Sequence, residues 1–313
     1  MNNFTNQFSK RAATTERTAL PAGVEQVTAT LAKWFKALQL RRASARTLRF
    51  TGRGGSADIE VQLDVLPPAV ADDLRQRELF YREALAAAKL AHFNIARTSK
   101  PQEIDGLHFC VTEYKPEACT LRDRLSRNGW LALEAACEIA DQIASALDCA
   151  HALGVLHLQL SPDCILIEPN GWVTVAGFGI EAGPQLEWAH RERARRLAPV
   201  YASLEQASGA ACMAASDLYS LGAILYEMLT DRVPFDSDDE DYVRERQLQF
   251  APAPPHLISP EVPEAVSNVV MKLLEREPQH RFDSAAEFQV ALDEALRSKP
   301  QMNTDGTRGD EHR

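Results

Sequence analysis

Residues 157–167 read H-L-Q-L-S-P-D-C-I-L-I, and residues 177–179, one short strand later, read G-F-G. They follow a long apolar stripe at helical spacing over residues 131–153. The two stretches are therefore expected to form loops on either side of a short strand, directly after a long helix. Asp163 is the only carboxylate in either stretch.

The composition is that of an acidic globular protein. Of its 313 residues 45% are apolar, and the formal net charge is -10, which argues against nucleic acid or an anionic membrane as the main partner. No run of about 18 apolar residues occurs, so no membrane span is expected. The polar start at residues 1–10 lacks a signal-peptide core and indicates the cytoplasm. Six cysteines without a C-x-x-C pair predict reduced thiols and no metal site.

The N-terminal part divides into a polar segment and an amphipathic one. Residues 1–22 are predicted to be disordered, and residues 23–45 are predicted to form a helix, with apolar residues recurring at helical spacing between Val24 and Leu40. This helix is interpreted as a brace packed on the following domain, with a docking helix for a partner as the alternative. The polar tail at 297–313 is also predicted to be disordered.

Strand patterns come first in the remaining chain, and helical patterns follow. Residues 47–67 alternate as two strands around a glycine turn, and residues 109–114 form another strand. Helices are predicted at 75–91, 131–153, 216–229, 263–274 and 284–296. This order predicts an α+β fold.

The two loops resemble the catalytic loop, H-R-D-L-x-x-x-N, and the metal-binding loop, D-F-G, of protein kinases. The chain is similar to bacterial eukaryotic-like serine/threonine protein kinases over residues 46–296. This resemblance implies two lobes, a trimmed β-rich small lobe at about 46–113 and a helical large lobe at about 116–296. The other matching segments are R-E-A at 82–84, H-F-N-I at 92–95, T-E-Y at 112–114, P-x-Y-x-S-L-E-Q at 199–206, D-L-Y-S-L-G at 217–222 and P-x-x-R-F at 278–282.

The charged positions of the family's active site are replaced. Gln159 stands at the position of the catalytic base, and an amide has no useful basicity near neutral pH. Cys164 and Gly177 stand at the two metal-ligand positions, where a soft thiol and a hydrogen suit magnesium poorly. Loss of the base and of both ligands argues against phosphoryl transfer.

The lysine that contacts the nucleotide phosphates is also missing. The tetrapeptide matching V-A-I-K is V-Q-L-D at 61–64, so Asp64 takes the lysine position. Gln62 and Asp64 share one face of the strand and are expected to face the nucleotide site. The nine residues between Gly55 and Asp64 are about ten fewer than the family has, which predicts a missing strand or turn. Glu83, the lysine's partner in the family, would need another partner.

Some positions of a nucleotide pocket are still matched. Gly52, Gly54 and Gly55 resemble a phosphate-covering loop, with a tight hairpin turn as the alternative. The remaining candidates for a residual pocket are Gln62, Glu83, Thr112 and Glu113.

Regulatory positions have changed, whereas structural ones are kept. Leu158 replaces the arginine that would hold a phosphorylated loop, no serine or threonine lies between Gly179 and Tyr201, and Ala198 replaces a threonine. The arginine run at 191–196 is interpreted as a solvated loop, with a dock for an acidic partner as the alternative. The resemblance assigns structural roles to His157, Phe178, Glu205, Asp217 and Arg281.

The sequence therefore predicts a pseudokinase that acts through a protein partner, either an active kinase or another signalling protein. No binding of ATP or magnesium is expected. One alternative is a weak or atypical kinase that uses Asp163 or Glu168, and another is a domain that binds nucleotide without turnover.

Overall fold

The computed structural model describes residues 23–43, 47–54, 58–178, 199–237 and 239–298. The segment predicted to be disordered at 1–22 lies outside these ranges, as do residues 299–313 of the tail predicted to be disordered at 297–313. Gly55, Gly179, Ala198 and the arginine run at 191–196 also lie outside them. The prediction of disorder was wrong at Arg297, which is the last residue of a helix. The chain forms two compact units. The first comprises residues 1–81 and 99–114, and the second comprises residues 82–98 and 115–313.

The first unit is built on an antiparallel sheet of five strands in the order β1-β2-β3-β5-β4. Leu48, Phe50 and Leu63 alternate along β2 and β3 on one face of this sheet, where they meet Val27 and Leu31 of α1 in one buried cluster. The N-terminal helix therefore packs on the sheet. The elements are α1 (Val24–Leu31), β1 (Lys36–Ala43), β2 (Leu48–Gly54), β3 (Ile59–Val65), α2 (Pro68–Ala71), α3 (Leu74–Ala87, which continues into the second unit), β4 (Gln102–Ile104) and β5 (Leu107–Glu113).

The strand β1 corrects the predicted N-terminal helix, which was wrong beyond residue 31. Phe35, Leu38 and Leu40 are half-buried against the sheet cluster, because Leu38 and Leu40 alternate with polar neighbours as a strand requires. Phe35 also packs edge-on against Phe109 at 6.0 Å between ring centroids. The sequence predicted that a strand or turn is missing before Asp64. The described sheet nevertheless has five strands, because β1 forms one of its edges.

The second unit is mainly helical and surrounds α5 and α7. Nearly all of α7 is buried, and a Cβ added to Gly222 would lie 2.6 Å from the Leu273 Cβ, so this glycine allows close contact with α10. A small sheet has the order β6-β7-β8. The elements are β6 (Cys119–Thr120), α4 (Leu121–Asn128), α5 (Leu133–Ala152), β7 (Ile165–Ile167), β8 (Val173–Val175), α6 (Leu204–Ser208), α7 (Ala214–Thr230), α8 (Glu240–Gln249), α9 (Pro255–Ile258), α10 (Glu264–Leu273) and α11 (Ala285–Arg297).

The predicted α+β class is confirmed, with the strand-rich unit preceding the helical one along most of the chain. The four long helices predicted after residue 130 are present as α5, α7, α10 and α11. No helix among the described residues is long and apolar enough to cross a membrane. The six cysteines all lie in the described ranges and form no disulfide.

Candidate active site

Asp64 lies in the middle of β3 and forms an ion pair within its own sheet. Arg49 of β2 is its cross-strand neighbour, and the Arg49 Nε lies 2.6 Å from the Asp64 Oδ1. Gln62 shares this face and donates from Nε2 to the Asp64 Oδ2 at 2.9 Å. The Asp64 side chain is 0% exposed. Its charge is therefore balanced inside the first unit.

The neighbouring strand adds a protected thiol to this polar face. Cys110 of β5 lies opposite Asp64, and Thr112 lies opposite Gln62. Burial, and then the negative charge of Asp64, raises the pKa of Cys110 to about 12. The thiol therefore stays protonated at neutral pH and is a poor nucleophile.

The glycines of the predicted phosphate loop lie in a strand. Gly52 and Gly54 belong to β2 and pair with Val61 and Ile59 of β3, which favours the hairpin over the phosphate-covering loop. A Cβ on Gly54 would lie 2.4 Å from the Phe35 Cδ1, and a Cβ on Gly52 would lie 3.0 Å from the Leu38 Cδ2. Close packing of Phe35 and β1 thus accounts for both glycines.

The other pocket candidates lie on different elements. Glu83 is buried in α3 within the second unit, whereas Thr112 and Glu113 belong to β5 in the first. Glu113 is the last residue of β5 and is exposed, opposite Val61.

His157, in the segment that resembles a catalytic loop, contacts two stretches of backbone and an aromatic ring. The Ala176 carbonyl, which can only accept, lies 3.0 Å from the His157 Nε2, so Nε2 carries the proton. Nδ1 then accepts the backbone N–H of Gln159 at 3.2 Å. The ring packs edge-on against Phe178 with 4.7 Å between centroids, and both side chains are buried.

Asp217 of α7 fixes the backbone of the same loop. Its carboxylate accepts the N–H groups of His157 and Leu158 at 2.8 and 2.6 Å, and the Nε2 of His151 lies 2.8 Å away. Burial opposes the charged form, but the hydrogen bond and charge of His151, together with the backbone donor, lower the pKa of Asp217 below its ordinary value. Leu158 has a left-handed φ of 56°, which these contacts help to maintain.

The three replaced positions of the site provide no carboxylate, and within the part of the chain that the structure describes only Cys164 forms hydrogen bonds that connect the two stretches. The Cys164 thiol donates to the Gln159 carbonyl at 3.3 Å, and the Cys164 carbonyl accepts from the Ala176 N–H at 2.8 Å. The Gln159 Nε2 is buried and has no partner among the described residues. Gly177 has a φ of 94°, and an added Cβ would meet only the His157 ring, at 3.8 Å.

These positions do not fit magnesium. Among the described residues, no group of three or more His, Cys, Asp or Glu side chains is placed to hold a metal ion. An amide, a thiol bound to a carbonyl and a glycine offer none of the charged oxygen ligands that this ion prefers.

The two carboxylates considered for an alternative chemistry differ in environment. Glu168 is bound to Lys115, with 2.6 Å between Oε1 and Nζ. Asp163 is 66% exposed, and its Oδ2 lies 3.6 Å from the Arg122 Nε. Asp163 is therefore the more accessible of the two.

Glu205 and Arg281 form a bidentate ion pair in the core of the second unit. The Arg281 Nη1 and Nη2 donate to the two carboxylate oxygens at 2.7 and 3.0 Å. Ser216 also donates to Glu205 at 2.7 Å. Burial would raise the pKa of Glu205, but these donors lower it on balance.

Two contacts near the 157–167 segment were not predicted from the sequence. The Gln206 Nε2 donates to the Leu158 carbonyl at 2.9 Å, and the spacing of Ser203 and Gln206 as a capping box was the available signal. Arg122 donates to both Tyr201 and Glu227, and no sequence pattern links these three residues.

Comparisons with known proteins identify the family. Residues 66–292 match the protein kinase domain family. The chain belongs to the protein kinase domain family. The match begins after β3, so Asp64 lies outside the matched range.

Curated relatives are serine/threonine kinases of greater length. The chain is 32% identical over 268 residues to serine/threonine-protein kinase PrkC of Bacillus subtilis, covering 82% of this chain and 41% of the relative. It is 33% identical to the probable serine/threonine-protein kinase PknB of Lactococcus lactis, covering 78% and 40%. The chain thus spans less than half the length of these relatives.

Solved structures support the fold. The PknI kinase domain of Mycobacterium tuberculosis aligns with a TM-score of 0.65 at 23% identity, over 84% of this chain and 97% of that one. At this identity the likeness concerns the fold alone.

Proposed function

We propose that this kinase-family domain is a cytoplasmic pseudokinase, which transfers no phosphate and acts by binding another protein. Its partner would be an active kinase or another signalling protein, for which it serves as a scaffold or an allosteric regulator.

The observation that carries the proposal is the Arg49–Asp64 pair. Phosphoryl transfer in this family uses a lysine ammonium on β3 to hold the nucleotide phosphates. Here the residue matched to that lysine is a fully buried carboxylate bound to Arg49 and Gln62. A strand organised around this internal pair offers no cation to a phosphate from that position.

The loops of the second unit support the same proposal. Gln159 cannot accept the proton of a substrate hydroxyl, and Gly177 has no side chain to hold a metal. The Cys164 thiol is bound to the Gln159 carbonyl. Neither ATP nor magnesium is therefore assigned to this chain.

The test is transfer of radiolabelled phosphate from ATP, with magnesium or manganese, to the chain itself and to a general protein substrate. The pseudokinase proposal predicts no incorporation above that of a heat-denatured sample. Incorporation that is lost in Asp163→Asn or Glu168→Gln, but kept in Asp293→Asn, would establish the atypical-kinase alternative instead. Asp293 is the matched control, because its carboxylate is also exposed and lies in α11.

The names of the relatives favour the catalytic alternative, since they are serine/threonine kinases.

Nucleotide binding without turnover is tested separately by thermal unfolding with ATP and magnesium. A ligand at 100 times its Kd stabilises the folded state by about 2.7 kcal/mol. We expect no rise in Tm. A concentration-dependent rise without transfer would establish nucleotide binding and leave the pseudokinase proposal standing.

A further inference from the structure

A groove of about 490 Å³ lies between α5 and α11 on the surface of the second unit. Its floor is apolar, with Cys137 and Leu292 buried and Leu296 half-buried. The Gln289 Nε2 donates to the Asp141 Oδ1 at 2.8 Å, which joins the two helices at one end of the groove. None of these residues belongs to the loops described above.

The rim of the groove is negatively charged. Glu134, Glu138 and Asp141 follow one another along α5, Asp293 lies on α11, and all four are exposed. No lysine, arginine or histidine lines the groove within the described ranges. The Asp293 Oδ2 lies 2.6 Å from the Arg297 Nη2, but both side chains are exposed and such a pair is weak enough to be exchanged for another cation. The rim therefore offers four carboxylates to an incoming group.

This charge selects the class of occupant. Carboxylates repel the phosphates of nucleic acids and of anionic lipids, and they attract lysine and arginine side chains. Among the described residues, no group of His, Cys, Asp or Glu side chains is placed to hold a metal ion, so the cation is not a coordinated metal. An apolar floor below a negative rim is suited to a segment that is apolar on one face and basic on the other.

The walls of the groove favour a helical segment over an extended one. An extended segment gains affinity by forming backbone hydrogen bonds with the edge of a sheet. Here both walls are helices, whose backbone groups are paired within the helix. A helix satisfies its own backbone and presents only side chains. Glu134, Glu138 and Asp141 are spaced at i, i+4 and i+7 over about 10 Å, so basic residues at the same spacing on a helix would meet them in turn.

Two exposed aromatic residues continue the same surface. Gln142 lines the groove, and its Oε1 accepts the N–H of Val173, the first residue of β8, at 2.9 Å. Trp172, the preceding residue, is 41% exposed and donates from Nε1 to the Phe93 carbonyl at 3.2 Å. Phe93 is the most exposed of the large apolar side chains that the structure describes, at 85%. Exposed aromatic side chains of this kind mark protein interfaces.

We propose that the groove between α5 and α11 binds a basic amphipathic helix of a partner protein. The apolar face of that helix packs on the floor formed by Cys137, Leu292 and Leu296, and its lysine or arginine side chains pair with the carboxylates of the rim. The assignment of the helix to a protein partner rests on the proposed function, whereas the charge and the apolar floor of the groove are independent of it.

The probe is a fluorescently labelled peptide of two L-K-K-L-L-K-L repeats. As a helix it is about 21 Å long and has leucines on one face and lysines on the other. Its binding to the full chain is measured by fluorescence anisotropy. We expect saturable binding at low salt that weakens as sodium chloride is added, because salt screens exposed charges. The same peptide with glutamate in place of lysine should not bind.

The variant Glu134→Gln/Glu138→Gln tests whether the peptide occupies the groove. It removes two charges from the rim and should weaken binding about fivefold, since each exposed ion pair contributes modestly. Glu245→Gln/Glu261→Gln is the matched control, because these two residues are also exposed and lie outside the groove. It removes the same charge and should change the affinity by less than about twofold. Thermal unfolding checks that both variants are folded.

The proposal fails if the two double variants bind the peptide equally, because the attraction then comes from the acidic chain as a whole. It also fails if a peptide of the same composition in scrambled order binds as tightly, since the apolar floor then contributes nothing.

Spermine distinguishes a protein from a free polyamine. It carries several amines and no apolar face, so it should bind more weakly than the peptide. Binding of spermine as tight as that of the peptide, and weakened by Glu134→Gln/Glu138→Gln, would overturn the protein partner. None of these measurements involves phosphate transfer, so a failure here is separate from a failure of the pseudokinase proposal.

Discussion

Arg49 and Asp64 face each other across β2 and β3 with 2.6 Å between Nε and Oδ1, and the carboxylate has no exposed surface. Removing one partner of a buried ion pair leaves the other charge uncompensated, at a cost of about 3–5 kcal/mol. A strand position that the family uses to bind a ligand therefore contributes here to the stability of the sheet.

The first prediction concerns this pair. Asp64→Asn and Arg49→Met should each lower the free energy of unfolding by about 3 kcal/mol, measured by urea denaturation. The double variant Arg49→Met/Asp64→Leu should lose less than the sum of the two single effects, because neither member of the pair is left without the other. Strict additivity would contradict the pairing. Lys33→Met serves as the control, since its ion pair with Asp105 is exposed and should contribute at most about 1 kcal/mol.

The second prediction concerns Gly54. A methyl group there would overlap the Phe35 ring, so Gly54→Ala should destabilise the protein by about 1–3 kcal/mol. Adding Phe35→Leu should recover part of this loss, as measured by thermal unfolding. The control is Gly52→Ala, whose nearest contacts are the Leu38 Cδ2 at 3.0 Å and the Lys36 carbonyl oxygen at 3.1 Å, so its cost should not fall when Phe35→Leu is added. If Phe35→Leu gives no recovery, packing against Phe35 does not explain the glycine.

The third prediction concerns pH. Because the folded-state pKa of Asp217 is lowered, its charged form stabilises the fold fully above the unfolded pKa of about 3.9, and this contribution is lost as the pH falls through the folded value. Asp217→Asn should destabilise the protein at pH 7, because the Asn side chain has one acceptor oxygen, whereas both carboxylate oxygens of Asp217 have hydrogen-bond partners. The variant should also show a shallower loss of stability below pH of about 4 than the wild type. If the free energy of unfolding falls equally steeply with pH in the variant and in the wild type, Asp217 does not have this role.

The fourth prediction concerns Gly177. There is room for a side chain at this position, so the cost of a substitution comes from the φ of 94°. Gly177→Asp should cost about 1 kcal/mol, and Gly177→Val should cost more, because Asp tolerates a left-handed backbone better than a β-branched residue. Equal costs in urea denaturation would be evidence against backbone strain.

The fifth prediction combines Gly177→Asp with substitutions at the other two replaced positions, Gln159 and Cys164. A triple variant with Gly177→Asp, Gln159→Asp and Cys164→Asn should remain unable to transfer phosphate, because Asp64 still stands at the lysine position. The control is to confirm by thermal unfolding that the variant is folded. Transfer by the folded triple variant would show that the lysine position is not what prevents catalysis.

The sequence predicted the long helices because their apolar residues recur without competing patterns, as in α5 and α7. It failed at β1, because Phe35 and Leu38 fit the helical spacing begun by Val27 and Leu31. Hydrogen-bonded pairing with β2 makes this segment a strand. The only local signal for a strand was the short alternation of apolar and polar residues at 38–41.

A sequence motif shows which residue stands at each position of the candidate site. It does not show which other residues that residue contacts. Gln159 and Gly177 were recognised by position. The partner of Asp64 required the register of the hairpin, in which Gly54 pairs with Ile59 and Arg49 with Asp64.

The packing of α1 and β1 on the sheet bears on how the boundaries of this domain are drawn. The match to the protein kinase domain family begins at residue 66, yet Leu48, Phe50 and Leu63 share one buried cluster with Val27 and Leu31. A fragment that begins at residue 66 would lose three of the five strands and leave Phe109 without its contacts to Phe35 and Val65. The start of the family match therefore lies inside the folded unit, and a domain boundary drawn there would divide the sheet.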